Sequence, residues 1–128
     1  SENALMVLVD TSVWVDHLRE GDTTLSALLA EGRVLAHPFV IGEIALGLLR
    51  QRELIIECLE NLPQAPAASH AEVMTLIVTH DLPGLGIGYV DAHLLAALRL
   101  APGSLLWTRD KRLAAAAAAW GLGFDPQH

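Results

Sequence analysis

Four carboxylates stand where the surrounding sequence is apolar: Asp10 follows Val7-Leu8-Val9, Glu43 lies between Ile41-Gly42 and Ile44-Ala45, Asp91 precedes Leu94, Leu95 and Leu98, and Asp110 comes soon after Leu105-Leu106-Trp107. Taking one ionised carboxylate out of water unpaired is unfavourable by several kcal/mol, and gathering four raises their proton affinities through mutual repulsion. A hard divalent cation removes both penalties. Magnesium and manganese prefer oxygen ligands and keep several waters, whereas zinc favours paired thiolates or imidazoles. Such an ion polarises a phosphoryl oxygen, lowers the proton affinity of a bound water and steadies a leaving oxygen, with a second ion able to help. That is the chemistry of phosphodiester hydrolysis. Singly, Asp10 and Asp110 read equally well as helix N-caps and Asp91 as a helix-dipole partner, each contributing roughly 1 kcal/mol. Only the four together point to a metal site.

The elements that must position these residues follow from hydrophobic periodicity. Residues 5–9 form a continuous apolar run, which predicts a strand covered on both faces in a parallel sheet. From Ser12 the period becomes helical, with Val13, Trp14 and Leu18 on one side, until Gly21. Asp22, Thr23 or Thr24 can cap a second helix carrying Leu25, Leu28 and Leu29, and a short strand follows at 34–36. Pro38 suits the first turn of a third helix whose face, Phe39, Ile41, Ile44, Ala45, Leu48 and Leu49, extends to the charges at 50–53. Residues 54–62 continue helically to Pro63, and 63–68 are a connector or a short strand. Ser69 with Glu72 is a capping box. The turn-rich segment 82–88 leads into a helix at 89–100, a strand at 105–107, an alanine-rich helix at 111–120 capped by Asp110, and an edge strand at 122–124. Strand–helix alternation predicts a three-layer α/β fold with a central, mostly parallel sheet. Asp10 and Asp110 then fall at carboxyl ends of strands, where open α/β sheets hold their ligands, and face one crevice.

Four blocks carry a resemblance: Asp10-Thr11-Ser12-Val13-Trp14-Val15-Asp16; Gly42-Glu43-Ile44-Ala45-Leu46-Gly47-Leu48-Leu49; Gly88-Tyr89-Val90-Asp91-Ala92-His93-Leu94-Leu95-Ala96-Ala97; and Leu106-Trp107-Thr108-Arg109-Asp110 with Lys111-Arg112-Leu113. In order and spacing, over residues 5–124, the chain resembles the PIN-domain ribonucleases, and among them the VapC-like toxins of bacterial toxin–antitoxin pairs. The resemblance implies a PIN-like three-layer α/β/α fold and an Mg2+-dependent endoribonuclease, with Mn2+ as the other candidate ion. It makes Asp10, Glu43, Asp91 and Asp110 the metal-binding set, with Ser12 and Thr108 giving hydroxyls to the metal's water or the substrate phosphate. It further implies an RNA substrate, a homodimer and a VapB-like antitoxin whose C-terminal segment lies in an apolar groove. Trp14, Leu18, Leu46, Leu49 and the leucine-rich second helix can line that groove, although core packing accounts for them as well. Where many relatives carry an acid or Asn before the last Asp, this chain has Arg109. That departure leaves open whether one ion or two is held, and it gives Arg109 a phosphate-contact role to test.

Composition agrees with one domain over residues 1–128. With 128 residues, 52% of them apolar, the chain can bury about two-thirds of its unfolded surface. Residues 1–5, ahead of Met6, are either the native start or partly a remnant of cloning. A formal charge of −7, with Lys111 the only lysine, speaks against a broad basic coat on nucleic acid and favours a selective RNA, a cationic partner segment, or both. One cysteine, no stretch of about 20 apolar residues and no basic N-terminal leader predict a soluble, cytoplasmic protein outside the membrane.

Other residues are expected to be structural. His93 points about 200° around its helix from Asp91, His17, His37, His70 and His80 are expected to be solvated or capping, Asp16 to face solvent in preference to supporting the site one and a half turns beyond Asp10, and Cys58 to be a small core residue. Arg50, Arg52, Arg99, Arg109, Lys111 and Arg112 are either helix-end charges or a flank that holds a sugar-phosphate backbone. Two further functions compete with the nuclease: a catalytically silent PIN-fold protein-binding module, and a small-molecule phosphatase of another α/β fold. The second lacks an Asp-x-Asp pair after the first strand, where Thr11 and Ser12 follow Asp10.

Overall fold

The first strand, β1 (Met6–Val9), runs down the centre of a parallel sheet, paired with β2 (Val34–Leu35) on one side and β3 (Ser104–Trp107) on the other. The structure, a computed structural model, describes residues 5–127; apart from Leu5, the segment read above as native start or cloning remnant lies outside them. Val7, Leu8 and Val9 are fully buried, as a strand covered on both faces requires. The register sets Val7 against Val34 and Leu105, and Val9 against Trp107. All three strands point the same way, so residues 10, 37 and 108 gather at one edge.

Around the sheet lie α1 (Thr11–Glu20), α2 (Thr23–Ala30), α3 (Pro38–Ala45), α4 (Arg52–Glu60), α5 (His70–Thr79), α6 (Tyr89–Leu100) and α7 (Lys111–Ala119). The caps follow the sequence closely. Asp10, Asp22 and Asp110 accept from the first amides of α1, α2 and α7, and Ser69 and Glu72 form the reciprocal box that opens α5. The segment after Pro63 is a connector joined to the sheet at Ala36–Gln64, and the expected edge strand at 122–124 pairs with β3 only at Leu106–Gly123. Proline at 63 and glycines at 121 and 123 keep both pairings short.

The central helix is α6. Seven consecutive residues, Ala92 to Leu98, are buried, so it is enclosed around its circumference rather than on one face. The alanine run of α7 packs against β3, where small side chains permit a close approach. Leu94, fully buried at the heart of α6, gives a stability test: Leu94→Ala is expected to lower unfolding free energy by about 3 kcal/mol in urea titration through lost transfer energy and the residual cavity.

Four expectations are corrected here. The third helix ends at Ala45 rather than running to 49, and it buries only Val40 and Ile44; Phe39 is partly exposed and Leu46 and Leu48 lie almost wholly in solvent. Glu43, a third of a turn from Ile44, is consequently exposed, not set on an unsolvated face. Cys58 is exposed as well, because α4 turns Ile55 and Leu59 inward, one turn apart, and leaves Cys58 to the side. His37 is the capping residue of α3, its Nδ1 accepting from the Phe39 amide at 3.0 Å, yet it is fully buried rather than solvated. Desolvation, then the charge of His93, lowers its pKa to about 4.

Candidate active site

At the carboxyl edge of the sheet Asp10 is 8% exposed, and both its oxygens are engaged. Oδ1 accepts from the Thr11 amide at 2.8 Å; Oδ2 accepts from the Thr108 hydroxyl at 2.7 Å and the Ser12 hydroxyl at 3.2 Å. Those hydroxyls are themselves oriented, since Ser12 Oγ accepts from the Arg109 amide at 3.0 Å and Thr108 Oγ1 from the Asp110 amide at 3.1 Å. With the backbone bond from Asp10 to Trp107 at 2.9 Å, the loop after β1 and the loop after β3 are stitched together across 98 residues of sequence. Ser12 and Thr108 thus spend their protons on Asp10: in this arrangement they fix a carboxylate.

Asp91 enters from the first turn of α6, half-buried, its Oδ2 accepting from the Gly88 amide at 3.0 Å. Its pKa is raised. Burial is the largest cause, and the charges of Asp10 and Asp110 add to it against the lowering effect of the Gly88 amide. Asp91 therefore feels two of the other three carboxylates. Asp110 is exposed, and its Oδ1 caps α7 through the Arg112 and Leu113 amides at 2.9 and 3.0 Å. Glu43 joins at one remove: its Oε1 accepts from the Thr11 hydroxyl at 2.7 Å, next in sequence to Asp10. Among the described residues no three acidic, His or Cys side chains converge tightly enough to enclose an ion. The donors are nevertheless all oxygens, and the burial and neighbouring charge that raise Asp91 are what a hard dication offsets, so the set fits magnesium or manganese. By the same coupling, acidification that protonates Asp91 weakens any ion bound there.

The turn-rich loop ahead of α6 passes close to the Arg112 side chain at Gly86. Gly86 there has φ +77°, a backbone conformation that favours glycine, and a Cβ at that position would lie 2.6 Å from Arg112 Cδ. The other basic residues are mostly committed: Arg52 donates to the Ala45 and Gly47 carbonyls behind α3, and Arg99 lies over the Trp120 ring at 5.1 Å. Helix-end and packing roles account for Arg52 and Arg99, and Arg112 lies against Gly86.

Sequence reasoning missed one part of this site. Asp16, expected to face solvent alone, pairs with Arg109 Nε at 2.6 Å, and Asp22 accepts from Arg109 Nη2 at 3.2 Å. Arg109 lies 87 residues beyond Asp22, and no local spacing reveals such a pair. Beside the carboxylates, a groove of about 480 Å3 runs between α1, α3 and α4, lined by Val15, Leu18, Leu48, Leu49 and Ile55, with Glu43 and Arg50 among its polar groups. Of the residues expected to line it, Leu18 and Leu49 do, whereas Leu46 and the leucines of α2 do not and Trp14 is buried in the core.

Against known proteins, residues 7–119 match the family model described as PIN domain. The chain is 49% identical over 117 residues to proteins named Ribonuclease VapC32 from two strains of Mycobacterium tuberculosis, a span covering 91% of this chain and 94% of theirs. Among solved structures it is similar to FitAcB from Neisseria gonorrhoeae, with TM-score 0.64 and 22% identity over 96% of this chain and 99% of that one. It is also similar to FitAB bound to a DNA fragment, with TM-score 0.62 and 20% identity over 96% of each chain. These two likenesses concern the fold.

Proposed function

Because the chain belongs to the PIN domain family, we propose that it is a single PIN-like domain acting as a metal-dependent endoribonuclease, the VapC-type toxin of a toxin–antitoxin pair. The observation that carries the proposal is the coupling of Asp91 to Asp10 and Asp110 at the carboxyl edge of a parallel sheet, in a chain half identical to a named ribonuclease. A magnesium or manganese ion, held by Asp10, Asp91 and Asp110 with Glu43 alongside, would supply Lewis-acid stabilisation of the phosphoryl oxygens and a lowered proton affinity for the attacking water. The chain's own part is positional. Ser12 and Thr108 hold Asp10 in one rotamer with its charge hydrogen-bonded, Gly88 holds Asp91, and the cap of α7 holds Asp110. Thr11 orients Glu43, whose exposure leaves its second oxygen on the solvent side, where RNA approaches.

In the hydrolysis, water adds to phosphorus in line, the bond from phosphorus to the 3′ oxygen breaks, and that oxygen leaves with a proton. Incubating the protein with structured RNA and Mg2+ is expected to give 5′-phosphate and 3′-hydroxyl ends, read by end-labelling and mass spectrometry, and chelator is expected to stop it. Fragments ending in 2′,3′-cyclic phosphate would overturn the mechanism.

The proposal extends to a VapB-like antitoxin, a homodimer and a cytoplasmic setting. The groove between α1, α3 and α4 supports the first, since it presents an apolar floor beside the exposed Leu46 and Leu48 and opens next to Glu43, where a basic side chain would meet carboxylates. Among the described residues no helix is long and apolar enough to cross a membrane.

A further inference from the structure

We infer that Arg109 is a positioning residue for the carboxylate set: its guanidinium, gripped by Asp16 and Asp22, locks the loop whose amides hold the Ser12 and Thr108 hydroxyls on Asp10. The inference rests on the ribonuclease proposal for its activity readouts only. One guanidinium reaches two helices at once, through Nε to Asp16 Oδ2 in α1 at 2.6 Å and through Nη2 to Asp22 Oδ2 at the start of α2 at 3.2 Å, and it lies over the Trp107 ring at 5.9 Å. An isolated exposed ion pair contributes little, but a fork that joins two carboxylates from different elements restricts the backbone between them. Asp22 is itself anchored, because its Oδ1 caps α2 through the Leu25 amide at 2.9 Å and its own amide donates to His17 Nδ1 at 2.9 Å.

The backbone so restrained carries the contacts that matter. The Arg109 amide donates to Ser12 Oγ, which leaves the Ser12 proton for Asp10 Oδ2, and the next amide, Asp110, donates to Thr108 Oγ1, which does the same for the Thr108 proton. A loosened loop would free both hydroxyls to rotate and Asp10 to leave its rotamer. With two acids already paired to it, the guanidinium is neutralised where it stands and is poorly placed to serve as a phosphate ligand.

The test compares Arg109→Met, Arg109→Lys, Asp16→Asn and the double variant Arg109→Met/Asp16→Asn. Arg109→Met is expected to lower kcat about tenfold with KM within about twofold, and to weaken Mn2+ binding by calorimetry about tenfold, the scale of a lost supporting contact to a ligand. Asp16→Asn should change both in the same direction, the double variant should be no worse than Arg109→Met, and lysine, a point charge without the fork, should rescue only in part. Amide exchange at residues 109 and 110 should quicken in Asp16→Asn while β1 stays protected. A raised KM at unchanged kcat in Arg109→Met, with a lowered KM in Asp16→Asn, would make Arg109 a phosphate contact and overturn the inference; so would unaltered exchange at 109 and 110. If the unaltered protein neither cleaves RNA nor binds Mn2+, the ribonuclease proposal fails, and the exchange result still decides the role of Arg109.

Discussion

Asp10→Asn is expected to reduce RNA cleavage by about 10^3-fold or more while leaving the fold in place. The magnitude follows from what the residue holds: losing about 4 kcal/mol of transition-state stabilisation, the scale on which a bound dication acts, is three factors of ten in rate. The fold survives because asparagine caps a helix as well as aspartate does, so the bond from the Thr11 amide remains. The side of the amide that carries nitrogen would face the Thr108 and Ser12 hydroxyls, which can turn from donating to accepting, each with a lone pair to spare. Removing the charge also relieves its neighbour. With Asp10 neutral, one of the causes that raise the pKa of Asp91 disappears, and carboxyl-carbon NMR should show Asp91 titrating at lower pH. Single-turnover assays against a circular dichroism melt separate the two effects. Full activity, or an Asp91 titration that does not move, would remove Asp10 from the site.

Much of this arrangement is legible in the sequence, for physical reasons that also mark where legibility stops. β1 reads as a buried parallel strand because an unbroken apolar run suits no half-exposed setting, and the caps at Asp10, Asp22, Ser69 and Asp110 are local chemistry written within three residues. Asp91 stands out because it shares its helix face with Leu94, Leu95 and Leu98. Glu43 misleads for the opposite reason: α3 stops at Ala45 and buries only Val40 and Ile44, so the apolar residues that flank Glu43 in sequence leave it on the exposed side. Cys58 fails likewise, since hydrophobic company in sequence is not company in space on a helix with a single narrow buried stripe. The Asp16–Arg109–Asp22 link is invisible beforehand, because ion pairs between distant segments leave no periodic trace.

Asp91→Asn separates function from stability most sharply, because the two should move in opposite directions. The carboxyl is half-buried and repelled by Asp10 and Asp110, so its folded pKa lies above its unfolded one. A raised acid stabilises the fold fully below the unfolded pKa and loses that contribution as pH rises through the folded value, so at pH 7 without metal the ionised Asp91 weakens the native state. Asparagine removes the charge and can still accept from the Gly88 amide at the start of α6. In chelator at pH 7, Asp91→Asn is therefore expected to melt about 2 °C above the unaltered protein, a modest gain because solvent screens a half-exposed group. The gap should close on acidification as Asp91 itself becomes neutral. It must be read as a difference between the two proteins, since both lose stability below the ordinary histidine range as His37, held neutral by burial with a pKa of about 4, is pressed to ionise. Mg2+ should reverse the order at pH 7, raising the melting temperature of the unaltered protein and leaving Asp91→Asn nearly unmoved, while cleavage by the variant falls about 10^3-fold. An Asp91→Asn protein that melts lower in chelator, or gains as much from Mg2+ as its parent, would show that Asp91 is held by its cap alone and that the ion binds elsewhere.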